Sequence, residues 1–156
     1  MLLFASGFLV YALDQVSKFF AGNVLTPGES VILNKNILHL TLVYNTGAAF
    51  GMFRSHPRFF VIIAALSVFF ICLFLFLKRK SLRFFEKLAL SFILSGTLGN
   101  LTDRLRFGHV IDFIDLRIWP VFNIADSFIT IGVGILIASV AGSMIKWGRI
   151  DPPPTE

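Results

Sequence analysis

Four long apolar runs, each close to the length of a bilayer-spanning helix, constrain this chain more than any other feature. A helix crossing about 30 Å of hydrocarbon needs roughly 20 residues. The runs are about 2–21, 59–77, 84–101 and 124–145. The second carries no charge, and the third opens with Glu86 and Lys87. Lipid offers no partner to a bare backbone, so runs of this length predict helices. Composition agrees: 56% of the 156 residues are hydrophobic and 15% charged, where a soluble domain carries about a quarter charged. The predicted class is a polytopic α-helical membrane protein with four transmembrane helices in one domain, 1–150. The tail 151–156, "DPPPTE", cannot continue a helix and reads as disordered. The first run lacks a basic lead and is interrupted by Asp14 and Lys18. It therefore reads as a retained span rather than a cleaved signal segment.

The formal net charge of +5 raises nucleic acid as a partner, but its distribution sets that partner aside. The densest basic cluster, "KRKSLR" at 78–83, lies between two apolar runs, where it acts as a topology signal. Lys78, Arg79, Lys80, Arg83 and Lys87 mark this loop as cytoplasmic, and Lys146 and Arg149 mark the C-terminal end likewise. Both termini are then cytoplasmic, and segments 22–58 and 105–122 lie on the far face. Lys35, Arg54, Arg58, Arg106 and Arg117 in or beside those segments leave the bias incomplete.

The outer segments predict a small β platform. Two β-rich runs flank Asn34-Lys35-Asn36, the pattern of a hairpin. Leu38, Leu40, Leu42 and Tyr44 alternate, so one face is expected to hold all four. "TGAAFGMF" at 46–53 is too short to span and reads as a short interfacial helix or turn. "IDLRI" at 114–118 alternates and predicts a further short strand.

Ionisable residues in or near spans are costly and are functional candidates. Asp14 and Lys18 stand four apart, on one helical face. They fit first a local ion pair that hides two charges, and otherwise the floor of a site or a headgroup contact. Asn100, Asp103 and Arg104 share a face of the third span. Arg104 fits either a carboxylate contact or an interfacial anchor. Gly96 and Gly99 precede them and allow close helix packing. Asp112 is flanked by Ile111, Phe113 and Ile114, a setting that disfavours its charged form. Asp115 and Arg117 fit a solvated edge. Asn123 and Asp126 have the spacing of a helix cap, with the acid on the positive end of the helix dipole. Asp112 and Asp126 also lie at the ends of neighbouring antiparallel spans, at a depth they can share. Two carboxyls close together share one proton, leaving a base and an acid near neutral pH. Such a pair can activate water against an amide.

Other chemistries lack their parts. Cys72 is the single cysteine and lies within the second run, which carries no histidine. His39, His56 and His109 are scattered and read as surface polar residues. Asp112 and Asp115, three apart in a loop, are weak grounds for a cation site. No metal or cofactor is expected.

These stretches resemble bacterial lipoprotein signal peptidase, also called signal peptidase II. The matching motifs run in order: "DQVSK" at 14–18, "NTGAAFG" at 45–51, "GTLGNLTDR" at 96–104, "VIDF" at 110–113 and "FNIADS" at 122–127. The resemblance implies a four-span aspartic peptidase of the bacterial cytoplasmic (inner) membrane, its site at the extracytoplasmic face. It implies cleavage before the lipidated cysteine of a diacylglyceryl-modified prolipoprotein. It implies Asp112 and Asp126 as the catalytic pair, with Asp14, Lys18, Asn45, Asn100, Asp103, Arg104 and Asn123 in support. Membrane lipid and globomycin-type peptide inhibitors are the further partners it implies. Thr97 stands where the family often has a smaller residue, and the first span begins almost at Met1; neither departure touches the aspartates. A transporter would spread its acids through the membrane depth, whereas these gather at one surface. A non-catalytic scaffold would tolerate loss of one carboxylate.

Overall fold

The computed structural model describes residues 2–35, 37–47 and 57–150. Most of the expected interfacial segment (48–53), Arg54, His56 and the tail 151–156 lie outside these residues. The described elements are α1 (Leu2–Val24), β1 (Ser30–Asn34), β2 (Leu38–Asn45), α2 (Pro57–Lys78), α3 (Phe84–Phe107), β3 (Val110–Asp115) and α4 (Ile124–Ile150).

Local chemistry sets most boundaries. After α1 the chain turns at Thr26-Pro27-Gly28-Glu29, closed by Glu29 N–H donating to Thr26 O at 3.1 Å. Gly28 has φ 83°. Proline at the second position and a positive-φ glycine at the third are what a type II turn demands. Pro57 begins α2, where its missing N–H costs nothing. Arg83 N–H donates to Glu86 Oε2 at 2.8 Å and opens α3. Gly108, φ 77°, closes that helix with its N–H on Arg104 O, a left-handed cap that suits glycine. The helix thus runs to Phe107, past the expected end near residue 101. This keeps Asp103 and Arg104 on regular helix.

The strands form one antiparallel sheet, ordered β1-β2-β3. The hairpin between β1 and β2 sits where the sequence places it. The third strand does not: it covers 110–115 rather than 114–118. Arg117 has φ 67°, and its N–H donates to Asp115 Oδ1 at 2.8 Å. That tight turn ends the strand before the alternating stretch can be used. The β2–β3 register slips between Leu40 and Val43, so the expected single face of four residues is broken. Leu42 is buried, whereas Tyr44 is largely exposed with its ring 4.5 Å from that of His109.

Helix α3 is the centre of the helical layer. It packs against α1, α2 and α4, while α2 leans on α3 alone to any extent. Glycine makes the closest approaches possible. A methyl on Gly96 would meet the Ala125 carbonyl oxygen, and one on Gly99 would meet the Asp14 carboxylate. Gly132 lies as tightly against Ala89 O. The outward faces of the helices are apolar: Phe8, Phe19, Phe70, Phe76 and Ile137 are all well exposed. Apolar cover on this scale belongs against lipid. Two helical stretches, Arg58–Lys78 and Ile124–Ser143, are long and apolar enough to cross a membrane. Helices α1 and α3 have 23 and 24 residues and bury Asp14, Lys18 and Asp103 between them.

Candidate active site

The inward charges of α1 and α3 meet beneath the sheet. Asp14 is 0% and Lys18 2% exposed. The Lys18 ammonium has three hydrogens and three acceptors: Asp14 Oδ2 at 2.8 Å, Asp103 Oδ2 at 2.9 Å and Asn100 Oδ1 at 2.9 Å. Asp14 Oδ1 accepts from Ala125 N–H at 2.9 Å, tying α1 to the first turn of α4. Asp103 Oδ2 also accepts from Ile111 N–H at 3.2 Å, tying α3 to β3. A buried ion pair is tolerable only when its other polar atoms find partners, and here every oxygen of Asp14 and Asp103 accepts at least one hydrogen bond.

The cluster fixes an amide, and the amide reaches a carboxylate. Asn100 Oδ1 accepts from Lys18 and from Asn123 Nδ2, the latter at 3.0 Å. Its Nδ2 must therefore face the other way, where it donates to Asp126 Oδ1 at 2.7 Å. Asn123 joins the two carboxyls. Its Nδ2 donates to Asp112 Oδ1 at 2.7 Å, while its Oδ1 accepts from Asp126 N–H at 2.9 Å. Asp126 Oδ2 in turn accepts from Asn123 N–H at 3.3 Å. This reciprocal pair is a capping box, so the cap expected from the spacing is present, and the capping acid also faces the cluster.

Asp112 is 2% exposed and lies on β3. Asn45, at the end of β2, donates to its Oδ2 at 2.9 Å, and Asn45 Oδ1 accepts from Gly47 N–H at 3.0 Å. Burial, followed by the nearby charge of Asp126, pushes the Asp112 carboxyl from 3.8 up to about 7. Its hydrogen bonds to Asn45 and Asn123 and the charge of Lys18 pull the other way without prevailing. Arg104 donates to Gly47 O at 3.3 Å and lies 5.4 Å over the Phe60 ring. Its charge acts on Asp126, Asp112 and Asp103 together. A groove of about 350 Å³ opens beside Asp126, walled by Leu116, Trp119, Phe122 and Ile131.

All nine residues singled out from the sequence thus converge on one place, drawn from α1, β2, α3, β3 and α4. Several finer expectations fail. Asp112 is a strand residue, not a loop residue. Asp115 is buried rather than on a solvated edge, accepting from Thr41 Oγ1 at 2.9 Å and from Arg117. Three apart on a strand, Asp112 and Asp115 face opposite sides, which removes the weak cation reading. His39 is buried too, paired in register with Asp115. Gln15 went unassigned, yet its Nε2 donates to Asp103 Oδ1 at 3.0 Å and lies 3.3 Å from Gly99 O. Its position is legible in hindsight: Tyr11, Asp14, Gln15 and Lys18 share one face by the i, i+3, i+4 spacing.

Comparison with known proteins bears on this arrangement directly. Residues 7–141 match the family model described as signal peptidase (SPase) II. The lipoprotein signal peptidase of Moorella thermoacetica is 47% identical over 129 residues, 82% of this chain and 85% of that protein. That of Nostoc punctiforme is 37% identical over 153 residues, 96% of both. A bacterial membrane enzyme solved by the in meso method at 2.3 Å superposes with a TM-score of 0.86 at 31% identity, over 99% of this chain and 94% of its own. A second, solved by the same method at 1.9 Å, gives 0.80 at 34% identity, over 88% and 91%. The chain belongs to the signal peptidase II family, and is a membrane protease of the aspartic type.

Proposed function

We propose that Asp112 and Asp126 are the catalytic pair, and that they cut a diacylglyceryl-modified prolipoprotein just before its lipidated cysteine. The observation that carries this reading is Asn123, whose side-chain amide donates to the Asp112 carboxyl while its backbone N–H donates to the Asp126 carboxyl. Asp112, its charge opposed by burial and by Asp126, holds the proton. Asp126 is the base. A water between them gives its proton to Asp126 as its oxygen attacks the scissile carbonyl, and Asp112 protonates the carbonyl oxygen. When the tetrahedral intermediate collapses, the C–N bond breaks, the amine leaves with the proton from Asp126, and Asp112 recovers its own. Asn100, Asn123 and Asn45 orient the carboxyls, Lys18, Asp14 and Asp103 hold Asn100 in place, and Arg104 offsets the developing charge.

Four spans, α1 to α4, cross the bacterial inner membrane with both termini cytoplasmic and the sheet outside. The burial of Asp14, Lys18 and Asp103 and the apolar outer faces of α1 and α3 support counting them as spans. The substrate's acyl chains enter laterally from lipid, along the groove beside Asp126. The sheet lies over the extended stretch at the cut, and globomycin-type peptides occupy the same place. The segment 46–53 acts as a lid at the membrane surface.

The test assays purified Asp112→Asn and Asp126→Asn proteins on a diacylglyceryl-modified prolipoprotein. Near-normal cleavage by either one sinks the pair. Equal cleavage of unlipidated substrate would instead overturn the lipid requirement.

A further inference from the structure

The opposite end of the helical layer carries a second feature that peptide cleavage does not use. Helices α1 and α2 both pack on α3 but make at most marginal contact with each other. The gap between them is a cleft of about 210 Å³, walled by Leu3, Phe4, Leu75 and Leu94. Ser91 lines it, but its hydroxyl is committed to Leu3 O at 2.9 Å. The walls are therefore suited to a hydrocarbon chain.

Two cations, Arg79 and Lys87, also line the cleft. Neither has a carboxylate partner among the described residues. Glu86, the one nearby acid, is already engaged: Oε2 accepts from Arg83 N–H and Oε1 from Ser139 Oγ. Lys87 stands thirteen residues before Asn100 on α3, about 20 Å along the helix axis. The cleft thus lies toward the membrane surface opposite the carboxyl pair.

Apolar walls between helices, with unmatched cations at a cytoplasmic end, are the chemistry that takes an anionic phospholipid. We propose that this cleft binds one such lipid, with an acyl chain between α1 and α2 and its phosphate on Arg79 and Lys87. The lipid fills a gap that the helices leave open and neutralises two cations that have no carboxylate partner among the described residues, Arg79 standing over the Phe76 ring at 5.6 Å. The occupant is a membrane lipid rather than a soluble phosphate, because the walls offer a phosphate nothing beyond the two cations.

Native mass spectrometry of the full chain tests this, using micelles doped with phosphatidylglycerol or with phosphatidylcholine of the same acyl chains. One phosphatidylglycerol is expected to stay bound, and phosphatidylcholine is not. Each cation contributes about fivefold, so Arg79→Gln with Lys87→Gln weakens retention about twenty-fivefold. Lys78→Gln with Lys80→Gln removes equal charge from exposed positions beside the cleft and leaves retention unchanged. Three results overturn the proposal: equal retention of the two lipids, equal loss in both double variants, or displacement of phosphatidylglycerol by glycerol phosphate alone. The lipid comparison on the unmodified protein decides the matter even if a variant fails to fold. Prolipoprotein cleavage by the variants is a separate readout, so failure here leaves the assignment of Asp112 and Asp126 standing.

Discussion

Lys18 shows how much one side chain can decide. Its three bonds pair it with two buried carboxylates and set the orientation of Asn100. Replacement by methionine keeps the bulk and removes the charge, leaving Asp14 and Asp103 buried without their cation. Breaking a buried pair in this way costs about 3–5 kcal/mol, so Lys18→Met is expected to lower Tm sharply in detergent. For the proposed catalytic pair, losing a general acid or base costs about 10²–10⁴-fold in rate. Asp112→Asn and Asp126→Asn are expected to fall in that range in kcat, with folding intact. The Asp112 carboxyl, at about 7, gives the pH dependence its sign. Cleavage needs the proton, so kcat/KM falls about tenfold per pH unit above about 7. Stability follows the same group. Between its ordinary value of 3.8 and about 7 the folded protein holds a proton that the unfolded chain has shed. Stability therefore declines as pH rises across that window and is flat above it. Asp112→Asn should remove that slope from a series of melting curves.

At the scale of elements, the helix contacts make opposite predictions for chemically identical changes. Gly96→Ala and Gly132→Ala place a methyl against backbone carbonyl oxygens at 2.5 and 2.7 Å. Backbone cannot step aside cheaply, so each is expected to destabilise by about 1–3 kcal/mol. Gly134 has nothing within 4 Å, and alanine there should stabilise by about 0.5–1 kcal/mol through helix propensity alone. Thermal melts of the three variants separate the effects. The same elements show what the sequence makes legible. Long apolar runs announce the helices, and Thr26-Pro27-Gly28-Glu29 and Gly108 mark their ends. The polar spacings on α1, α3 and α4 place most of the site. Asn45 had no local signal, because its role depends on a strand pairing that brings residue 45 beside residue 112. The strand over 110–115 was misplaced for a related reason. Its partner is β2, and alternation within 114–118 says nothing about where a neighbour lies. Asp115 and His39 look like surface groups in the sequence because their burial arises where strands distant in the chain pair, His39 beside Asp115.

The molecule as a whole has one charged end, one sheeted end and an apolar waist. The proposed orientation puts the sheeted end outside. A cysteine at Ile118, 92% exposed near the sheet, should react with an impermeant maleimide added to intact cells. One at the exposed Ser81 between α2 and α3 should react only after the membrane is opened. Both are made in a Cys72→Ser background, because Cys72 is free. Labelling in the reverse pattern would invert the topology.

The bond from Ala125 N–H to Asp14 joins residues 111 positions apart. Ribosomes make the chain from its N-terminus, so α1 is synthesised long before Ala125, Asn123 or Asp126 exists. Until the third helix brings Asn100 and Asp103, Asp14 and Lys18 have only each other, and their spacing of four lets them travel as a neutral couple on one helix. The protease then cannot be assembled piecemeal. Until the start of the fourth helix has been translated, there is no capping box, no second carboxyl of the proposed pair and no bond from the first helix to the fourth. With Asp112 and Asp126 as the proposed pair, the fold keeps a half-made chain silent.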